Sequence, residues 1–424
     1  MQPTILIWLR RNLRLHDNAV LRQAAAYGLP TAAVWTAGGA ANARQAAFWR
    51  QAACETAQGL AAQDVPCFEA EHGEDVAALA VRLNAVRVLA DEAYAPAERA
   101  ADNRIWRLLD AHGIAFERLN CRAVFAKADL MTANGRPYTD FPAYRSAWLQ
   151  AFHIQARQSA LLETELVRPL PQAEWPCQPL LNLAGGREAG QGAAWRQWQR
   201  FAAEAAVYPL LKDFPARKGT SRLSTYLAAG CLSPRVLAKE AAERGWQAWL
   251  DRLIRRDFYF QTAFHSGNPH TDAAPKIADA ALLARWQAGQ TGYPLVDAAM
   301  RCLRDTGWLH PRLRSIVAEF WCGTLGQPWQ HGAEWFAECL IDADEAVNVG
   351  NWMDAVGRLP DKAPHRANWL RIGQQTDPDA VFVRRYLPEL AHLPKDIIHT
   401  PWLAGADIER NGYPWPMKVY SGLT

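Results

Sequence analysis

Two aspartates, two asparagines and a tryptophan lie within twelve residues of this chain: Asp342, Asp344, Asn348, Asn351 and Trp352. Carboxylates accept hydrogen bonds and amides both donate and accept, so a turn that leads into a helix can present both functions to one heterocycle. A tryptophan beside such a ring can relay electrons. Asp and Asn also cap helices, and Asp344 and Asn348 are candidates for that structural role. The residues alone leave both interpretations open.

A second polar cluster follows Gly219. It supplies hydroxyl groups, backbone N–H groups and a guanidinium within five residues: Thr220, Ser221, Arg222, Leu223 and Ser224. Such groups can hydrogen-bond and neutralise the pyrophosphate of a dinucleotide cofactor. The hydroxyl side chains can also cap the helix that runs on to Gly230, and the two roles are compatible.

Hydrophobic periodicity predicts the elements that must position these groups. Up to about residue 120, apolar runs alternate with amphipathic stretches, which indicates a parallel, doubly wound α/β sheet. The predicted strands are Thr4–Leu9, Thr31–Trp35, Val65–Glu69, Arg87–Asp91 and Ala115–Leu119. No G-x-G-x-x-G follows the first strand, so no dinucleotide is expected at that turn.

The second half of the chain has a helical period and a high density of tryptophan. Between the two halves, prolines, an Asn-Gly pair and a glycine-rich stretch indicate a long connection. The sequence therefore predicts an α/β domain over residues 1–125, a connector over 126–194 and an all-helical domain over 195–424.

Composition limits the class of protein. A chain of 424 residues that is half apolar has room for two or three domains. We expect a cytoplasmic monomer without membrane span or signal peptide, because no apolar run reaches about 18 residues and Arg10 and Arg11 interrupt the first one. A net charge of +3 is too small to indicate a nucleic-acid partner. The eight cysteines form no C-x-x-C pair, so reduced core thiols and no metal site are predicted.

Five segments, in order, resemble the motifs of the DNA photolyases and cryptochromes. They are residues 8–18, 208–235, 291–314, 341–352 and 384–402. The resemblance covers essentially the whole chain. It implies a Rossmann-like α/β domain followed by a helical domain that binds FAD.

The resemblance also implies an FAD pocket. Its members in this chain are Tyr208, Thr220, Ser221, Arg222, Leu223, Ser224, Trp249, Arg256, Trp308, Arg314, Asp342, Asp344 and Asn348. For Trp249 and Trp308, the sequence alone favours ordinary core aromatics.

Roles around the flavin ring follow from the same resemblance. Asp344 is expected to accept a hydrogen bond from a ring N–H, Asn348 to face the reactive flavin nitrogen, and Arg314 to pair with Asp342, which avoids an unpaired buried charge. An asparagine at position 348, as in photolyases, keeps the redox states used in repair accessible.

The resemblance further implies an electron-transfer chain of tryptophans. Trp352 and Trp329 occupy its first two positions, whereas Lys276 stands at the third. The chain is therefore either truncated or leaves by another aromatic residue, such as Trp335 or Trp321.

An antenna chromophore, a folate or a deazaflavin, is a further implication for the α/β domain. Tyr94, Glu98 and Arg99 match the residues of folate-type members, although the intervening Ala95, Pro96 and Ala97 depart from the pattern.

The lesion pocket of the family is altered in this chain. Arg252 replaces an acid, Arg255 and Asp354 replace two tryptophans, Pro311 replaces an asparagine and Ser315 replaces the usual methionine. A light-driven flavoprotein that repairs pyrimidine dimers in DNA is the primary expectation. The alternatives are a blue-light sensor that acts on a signalling partner and a flavoprotein whose arginines bind a small anionic ligand.

Overall fold

The computed structural model of the chain describes residues 2–156, 167–175, 180, 188–266, 278–355, 357, 368–405 and 408–417. The chain forms two compact units. The first comprises Met1–Ala206 and Ser221–Pro269, and the second comprises Val207–Thr220 and His270–Thr424. The three-part division predicted from the sequence stays a prediction.

Five parallel strands form the sheet of the first unit. They are β1 (Thr4–Leu9), β2 (Thr31–Thr36), β3 (Cys67–Ala70), β4 (Ala85–Asp91) and β5 (Ala115–Leu119). Every residue of β1 and β2 is buried, as is usual for parallel strands covered on both faces. In the order β3-β2-β1-β4-β5, the direction in which successive strands are added to the sheet reverses between β1 and β4. The predicted α/β sheet is confirmed, with strand ends shifted by at most two residues.

Helices account for most of the remaining described residues. They are α1 (Ala19–Tyr27), α2 (Ala43–Ala61), α3 (Gly73–Arg82), α4 (Pro96–Asp110), α5 (Phe141–Ala156), α6 (Gly190–Glu204), α7 (Tyr208–Leu211), α8 (Ser224–Ala229), α9 (Pro234–Glu243), α10 (Gln247–His265), α11 (Ala280–Gln287), α12 (Pro294–Thr306), α13 (Pro311–Glu319), α14 (Trp329–Cys339), α15 (Glu345–Ala355), α16 (Trp369–Thr376) and α17 (Val381–Tyr386). The predicted helical second half is confirmed.

Helix α5 lies within the segment interpreted as a connector. Tyr144, Trp148 and Phe152 recur every four residues and are all buried, so they form one apolar face of the helix. This spacing of aromatic residues is typical of a helix, whereas the neighbouring prolines and glycines indicate a loop.

Large aromatic side chains fill the core of the second unit. Trp286, Trp321, Trp329, Trp352 and Trp369 are each at most 5% exposed. A π-helical turn interrupts the helical pattern directly after α13. In the described residues, no helix is long and apolar enough to cross a membrane, and the seven described cysteines form no disulfide.

Candidate functional site

A crevice of about 250 Å³ opens in the first unit at the carboxyl ends of β1, β2 and β4. It lies at the reversal between β1 and β4, where open α/β sheets commonly bind ligands. Its lining is strongly charged. The lining residues are Trp8, Arg10, Arg11, Thr36, Gly38, Gly39, Glu71, His72, Gly73, Glu74, Asp91, Glu92, Ala93, Glu98, Ala101, Asp102, Arg104, Ile105 and Arg122.

Most of the arginines of this crevice pair with acidic residues of the chain itself. Arg10 Nε lies 3.1 Å from Asp91 Oδ1. Arg122 Nη1 lies 2.9 Å from Glu98 Oε2, and Arg11 pairs with the same carboxylate. Burial opposes ionisation of Glu98, but the two guanidinium groups outweigh it and hold its pKa well below the usual range. These cations are thus neutralised internally.

The three residues of the folate-type pattern make internal contacts. Tyr94 is buried and stacks on Phe260, with 4.7 Å between ring centroids. Glu98 also accepts a hydrogen bond from the backbone N–H of Tyr94 at 3.1 Å. Arg99 Nη1 donates to the carbonyl oxygen of Phe264 at 2.7 Å. Of the three, Glu98 lines the crevice, and the antenna stays a prediction.

Helix α10 carries four of the predicted site residues. Arg252, Arg255 and Arg256 are spaced so that they share one side of the helix. Arg252 is exposed. The guanidinium carbon of Arg255 lies 3.8 Å from the ring centroid of Phe141, so its plane stacks on an aromatic face. Arg256 turns inward and donates to the carbonyl oxygen of Leu227 at 3.1 Å.

Trp249, also on α10, belongs to an aromatic cluster. It is 4% exposed, and its ring centroid lies 4.9 Å from that of Trp198 and 5.7 Å from that of Phe201. This packing agrees with the core interpretation that the sequence alone favoured.

A buried carboxylate fixes α10 in the first unit. Asp257 Oδ2 accepts hydrogen bonds from the backbone N–H groups of Val124 (3.0 Å) and Phe125 (3.3 Å) and from Trp148 Nε1 (3.0 Å). Burial raises the pKa of Asp257 to about 6, although these donors and Arg256 favour the ionised form. No sequence signal indicates Asp257, since a single Asp in a helix has no distinctive pattern.

The polar segment after Gly219 adopts a strained backbone. Arg222 has φ of 53°, a left-handed conformation that is rare outside glycine and often occurs at functional sites. Helix α8 begins at Ser224, and its cap residue is Leu223, which makes no side-chain capping bond. The interpretation of this segment as a hydroxyl cap is therefore wrong at that position. Ser221 is partly exposed and Arg222 is exposed.

A cavity in the second unit collects the residues of the 341–352 segment. Its volume is about 20 Å³, which is too small for a whole heterocycle. Residues of α13, α14 and α15 line it. They are Arg314, Ser315, Ala318, Phe336, Leu340, Asp342, Ala343, Val347, Asn348, Asn351 and Trp352.

Asp344 and Asn348 have different roles. Asp344 Oδ1 accepts a hydrogen bond from the backbone N–H of Val347 at 3.3 Å, which is a helix cap at the start of α15. Asn348 Nδ2 donates to the carbonyl oxygen of Ala333 at 2.8 Å. Because a carbonyl can only accept, this bond fixes the orientation of the amide. The carbonyl oxygen of Asn348 thus remains available as an acceptor at the cavity.

Arg314 and Asp342 form the predicted pair. Arg314 Nη2 lies 2.7 Å from Asp342 Oδ2, and Arg314 Nε donates to the carbonyl oxygen of Leu309 at 2.9 Å. The other oxygen, Asp342 Oδ1, is buried and has no hydrogen-bond partner within the described residues. A buried acceptor without a donor is unfavourable, so an N–H group of a ligand would stabilise it.

Trp352 is one of the residues that line the same cavity. It is 2% exposed, and its ring centroid lies 5.0 Å from that of Phe336 and 6.4 Å from that of Trp286. Its indole packs against Gly332 so closely that even a methyl group at Gly332 would overlap it. No sequence pattern indicated Gly332 or Phe336, because their importance depends on contact between α14 and α15.

The remaining candidates for the predicted electron chain are two buried indoles, one partly exposed indole and one undescribed residue. Trp329, at the start of α14, is 2% exposed. Trp321 is fully buried, and Trp335 is partly exposed. Lys276 lies outside the described residues.

Pro311, Ser315 and Asp354 occupy the second unit, whereas Arg252 and Arg255 belong to the first. Pro311 is the exposed first residue of α13, Ser315 lines the cavity and Asp354 is partly exposed on α15.

Tyr208 and Trp308, the two other predicted pocket residues, also lie in the second unit. Tyr208 is buried at the start of α7. Trp308 is partly exposed and packs edge-on against His310, with 6.2 Å between ring centroids.

Comparison with known proteins defines the class. A family model described as DNA photolyase matches residues 5–166, and one described as the FAD binding domain of DNA photolyase matches residues 249–421. A deoxyribodipyrimidine photo-lyase of Vibrio cholerae is 32% identical over 94% of this chain and 92% of the relative. A cryptochrome DASH of Synechocystis sp. is 30% identical over 95% and 91%.

A solved structure agrees with both. The crystal structure of a bacterial class III photolyase from Agrobacterium tumefaciens has a TM-score of 0.83 and 26% identity, and covers 99% of this chain and 95% of that one. Fold and comparisons thus define an FAD-binding flavoprotein. The chain belongs to the DNA photolyase/cryptochrome family, and the predicted family, fold and FAD cofactor are confirmed.

Proposed function

We propose that this chain uses FAD and blue light to split pyrimidine dimers in DNA. Relatives named deoxyribodipyrimidine photo-lyase support this activity. One observation carries the proposal: the cavity of the second unit combines the fixed acceptor of Asn348, the unpaired oxygen of Asp342 and the indole of Trp352. A redox heterocycle needs such a set of groups at its edge.

The residues of this cavity would hold one edge of the flavin ring. When bound, FAD supplies light-driven one-electron chemistry. Asp342, rather than the expected Asp344 that caps α15, accepts from a ring N–H, and Arg314 pairs with that carboxylate and orients it. Asn348 offers a carbonyl oxygen, which favours the protonated form of a neighbouring ring nitrogen. Trp352, which lines the same cavity, supplies electrons.

The strained segment after Gly219 would hold the phosphate end of the cofactor. Thr220, Ser221, Arg222 and Ser224 supply hydroxyls, backbone N–H groups and one exposed cation. The left-handed conformation of Arg222 supports this assignment, because such strain persists where a binding site requires it.

Stacking by Arg255 supports a DNA substrate despite the loss of the family's tryptophan. A guanidinium is planar and stacks on aromatic faces and on nucleobases. Arg255 already stacks on Phe141 at 3.8 Å, so it presents a flat, cationic wall in place of a flat, neutral one. The exposed Arg252 adds positive charge to the same helix for a phosphate backbone.

The crevice of the first unit is our candidate site for an antenna chromophore. Its volume suits part of a drug-sized ring system. Because Arg10, Arg11 and Arg122 are already paired with carboxylates, the crevice favours a folate or deazaflavin ring over a phosphate group.

The test is repair of an oligonucleotide that carries a single pyrimidine dimer, with FAD-loaded protein whose flavin is chemically reduced beforehand. Pre-reduction removes any dependence on the tryptophans. Dimer loss in blue light and not in darkness supports the proposal. No repair by protein that holds reduced FAD contradicts it.

Variants of Arg255 separate stacking from charge. R255K keeps the charge and loses the planar group, so it should repair poorly, whereas R255W should retain repair. R244A is the matched control. Arg244, the C-cap residue of α9, also places its guanidinium carbon over an aromatic ring of the first unit, 5.2 Å from the ring centroid of Trp246.

A second candidate is a light-driven flavoprotein that acts on a small anionic ligand or a signalling partner. The exposed guanidinium of Arg252, where the family has an acid, favours it. Absence of repair together with intact photoreduction of FAD would support this candidate over the first.

A further inference from the structure

Trp286 lies between Trp352 and a third indole, Trp321. Its ring centroid is 6.4 Å from that of Trp352 and 4.8 Å from that of Trp321. Phe336 packs beside this row, 5.0 Å from Trp352 and stacked at 6.4 Å on Trp286. Each of the three indoles is at most 2% exposed. The rings therefore form a continuous row that begins at the cofactor cavity.

An unusual backbone feature directs Trp321 into this row. Phe320–Thr324 form a π-helical turn directly after α13, closed by the bond from Leu325 N–H to the Phe320 carbonyl oxygen at 3.0 Å. Such turns are rare and occur often at functional sites. Phe320 packs on a different indole, Trp369, at 5.1 Å. The adjacent side chains of Phe320 and Trp321 therefore pack in two separate aromatic clusters.

The same turn brings the row close to the surface. Cys322 and Gly323, the next two residues, are partly exposed. A small reductant in solution can therefore reach the backbone directly after Trp321.

We propose that Trp286 and Trp321 form the route by which electrons reach Trp352 in this chain. The inference rests on the proposed light-driven function. Short ring-to-ring separations favour electron transfer over long ones, and Trp286 is in direct ring contact with both neighbours. Residues 250–285 contain no tryptophan, so that part of the chain offers no alternative indole.

Each transfer moves one electron and breaks no bond of the protein. With FAD bound and excited by light, Trp352 would give up one electron, Trp286 would refill Trp352, and Trp321 would refill Trp286. An external thiol returns one electron to Trp321 and releases its proton to water. Each thiol thereby becomes a thiyl radical, and the two thiyl radicals formed in two light events couple to a disulfide.

The indoles should keep their protons during these steps. Trp321 Nε1–H donates to the carbonyl oxygen of Pro328 at 2.7 Å, and a carbonyl is not a base at neutral pH. Within the described residues, Nε1 of Trp286 and Nε1 of Trp352 are buried without an acceptor. The transient species should therefore be protonated tryptophan cation radicals rather than neutral radicals.

The test compares FAD-loaded wild-type protein with W286F, W321F and W369F under blue light and an added thiol. Trp369 is the matched control, because it is a buried indole of the same unit whose ring contacts are Tyr293 and Phe320. W286F and W321F should each lose most of the photoreduction and shorten the life of the transient tryptophan radical. W369F should match wild type.

The opposite pattern would overturn the inference. Wild-type rates in both W286F and W321F, with loss in W329F, assign the route to Trp329. Transient spectra of neutral radicals would contradict the proton argument. Wild-type protein that binds FAD but shows no photoreduction also overturns this inference. It leaves the proposed repair standing, because the repair assay with chemically reduced FAD does not depend on the tryptophans, so the two failures are distinguishable.

A measurement without cofactor checks the pair itself. Rings 4.8 Å apart couple in the near-ultraviolet circular dichroism spectrum, so W286F and W321F should remove the same band while the far-ultraviolet spectrum is unchanged. Different losses in the two variants would mean that the rings are not paired. If one variant fails to fold, photoreduction by the other still tests the electron route.

Discussion

The buried carboxylate of Asp257 should make the stability of the first unit depend on pH. It holds α10, the helix of Arg252 and Arg255, through three hydrogen bonds that all end on one oxygen. D257N can keep these bonds with its carbonyl oxygen while it removes the charge. The variant therefore isolates the cost of ionising this group in the folded protein.

The magnitude follows from the pKa shift. Burial raises the pKa of Asp257 from 3.8 to about 6, which corresponds to about 3 kcal/mol against the folded state at pH 7, at about 1.4 kcal/mol per unit. Because the folded pKa is raised, this cost shrinks as the pH falls through 6 and vanishes below 3.8. At pH 5 about half of it remains, so the cost changes by roughly 1.3 kcal/mol between pH 7 and pH 5.

Thermal unfolding at the two pH values measures this change. The Tm of D257N minus the Tm of wild type should be larger at pH 7 than at pH 5. The increase should be roughly 3–5 °C for a unit of this size. The comparison cancels all other titrating groups. W148F removes one donor and keeps the carboxylate, so its pH dependence should exceed that of wild type. Equal Tm differences between D257N and wild type at both pH values would refute the reasoning.

Three further predictions concern the second unit. W352F should lose most flavin photoreduction, measured by bleaching of flavin absorption in blue light; an unchanged rate removes Trp352 from the electron route. G332A should displace the Trp352 indole and cost about 1–3 kcal/mol, seen in urea unfolding and near-ultraviolet circular dichroism, and unchanged spectra would contradict the contact. R314M leaves a buried carboxylate unpaired and should cost about 3 kcal/mol or more, whereas R314M/D342N should recover over half of that loss; equal losses would mean that the pair is uncoupled.

Local pattern predicted the strands and the class of the second half. The six residues of β1 are all apolar or β-branched, and none bears a charge. Burial on both faces of the sheet could therefore be predicted from the sequence. The family motifs identified Arg314 and Asp342 as a pair, and the structure contains that pair.

The orientation of single groups could not be predicted in this way. Asp344 and Asn348 looked alike as helix caps, yet Asp344 caps α15 and Asn348 bonds to Ala333 on another helix. A capping bond is local, so sequence spacing indicates it. A bond across fifteen residues depends on how α14 and α15 pack.

The sequence by itself determined the period of each element, the order of the motifs and the chemical groups available for a flavin. Those properties depend on residues close together in the chain. Only the tertiary structure decided which oxygen of Asp342 stays unpaired, which way the amide of Asn348 points and which indole Trp352 touches. These outcomes depend on packing between helices, where side chains distant in sequence compete for the same space.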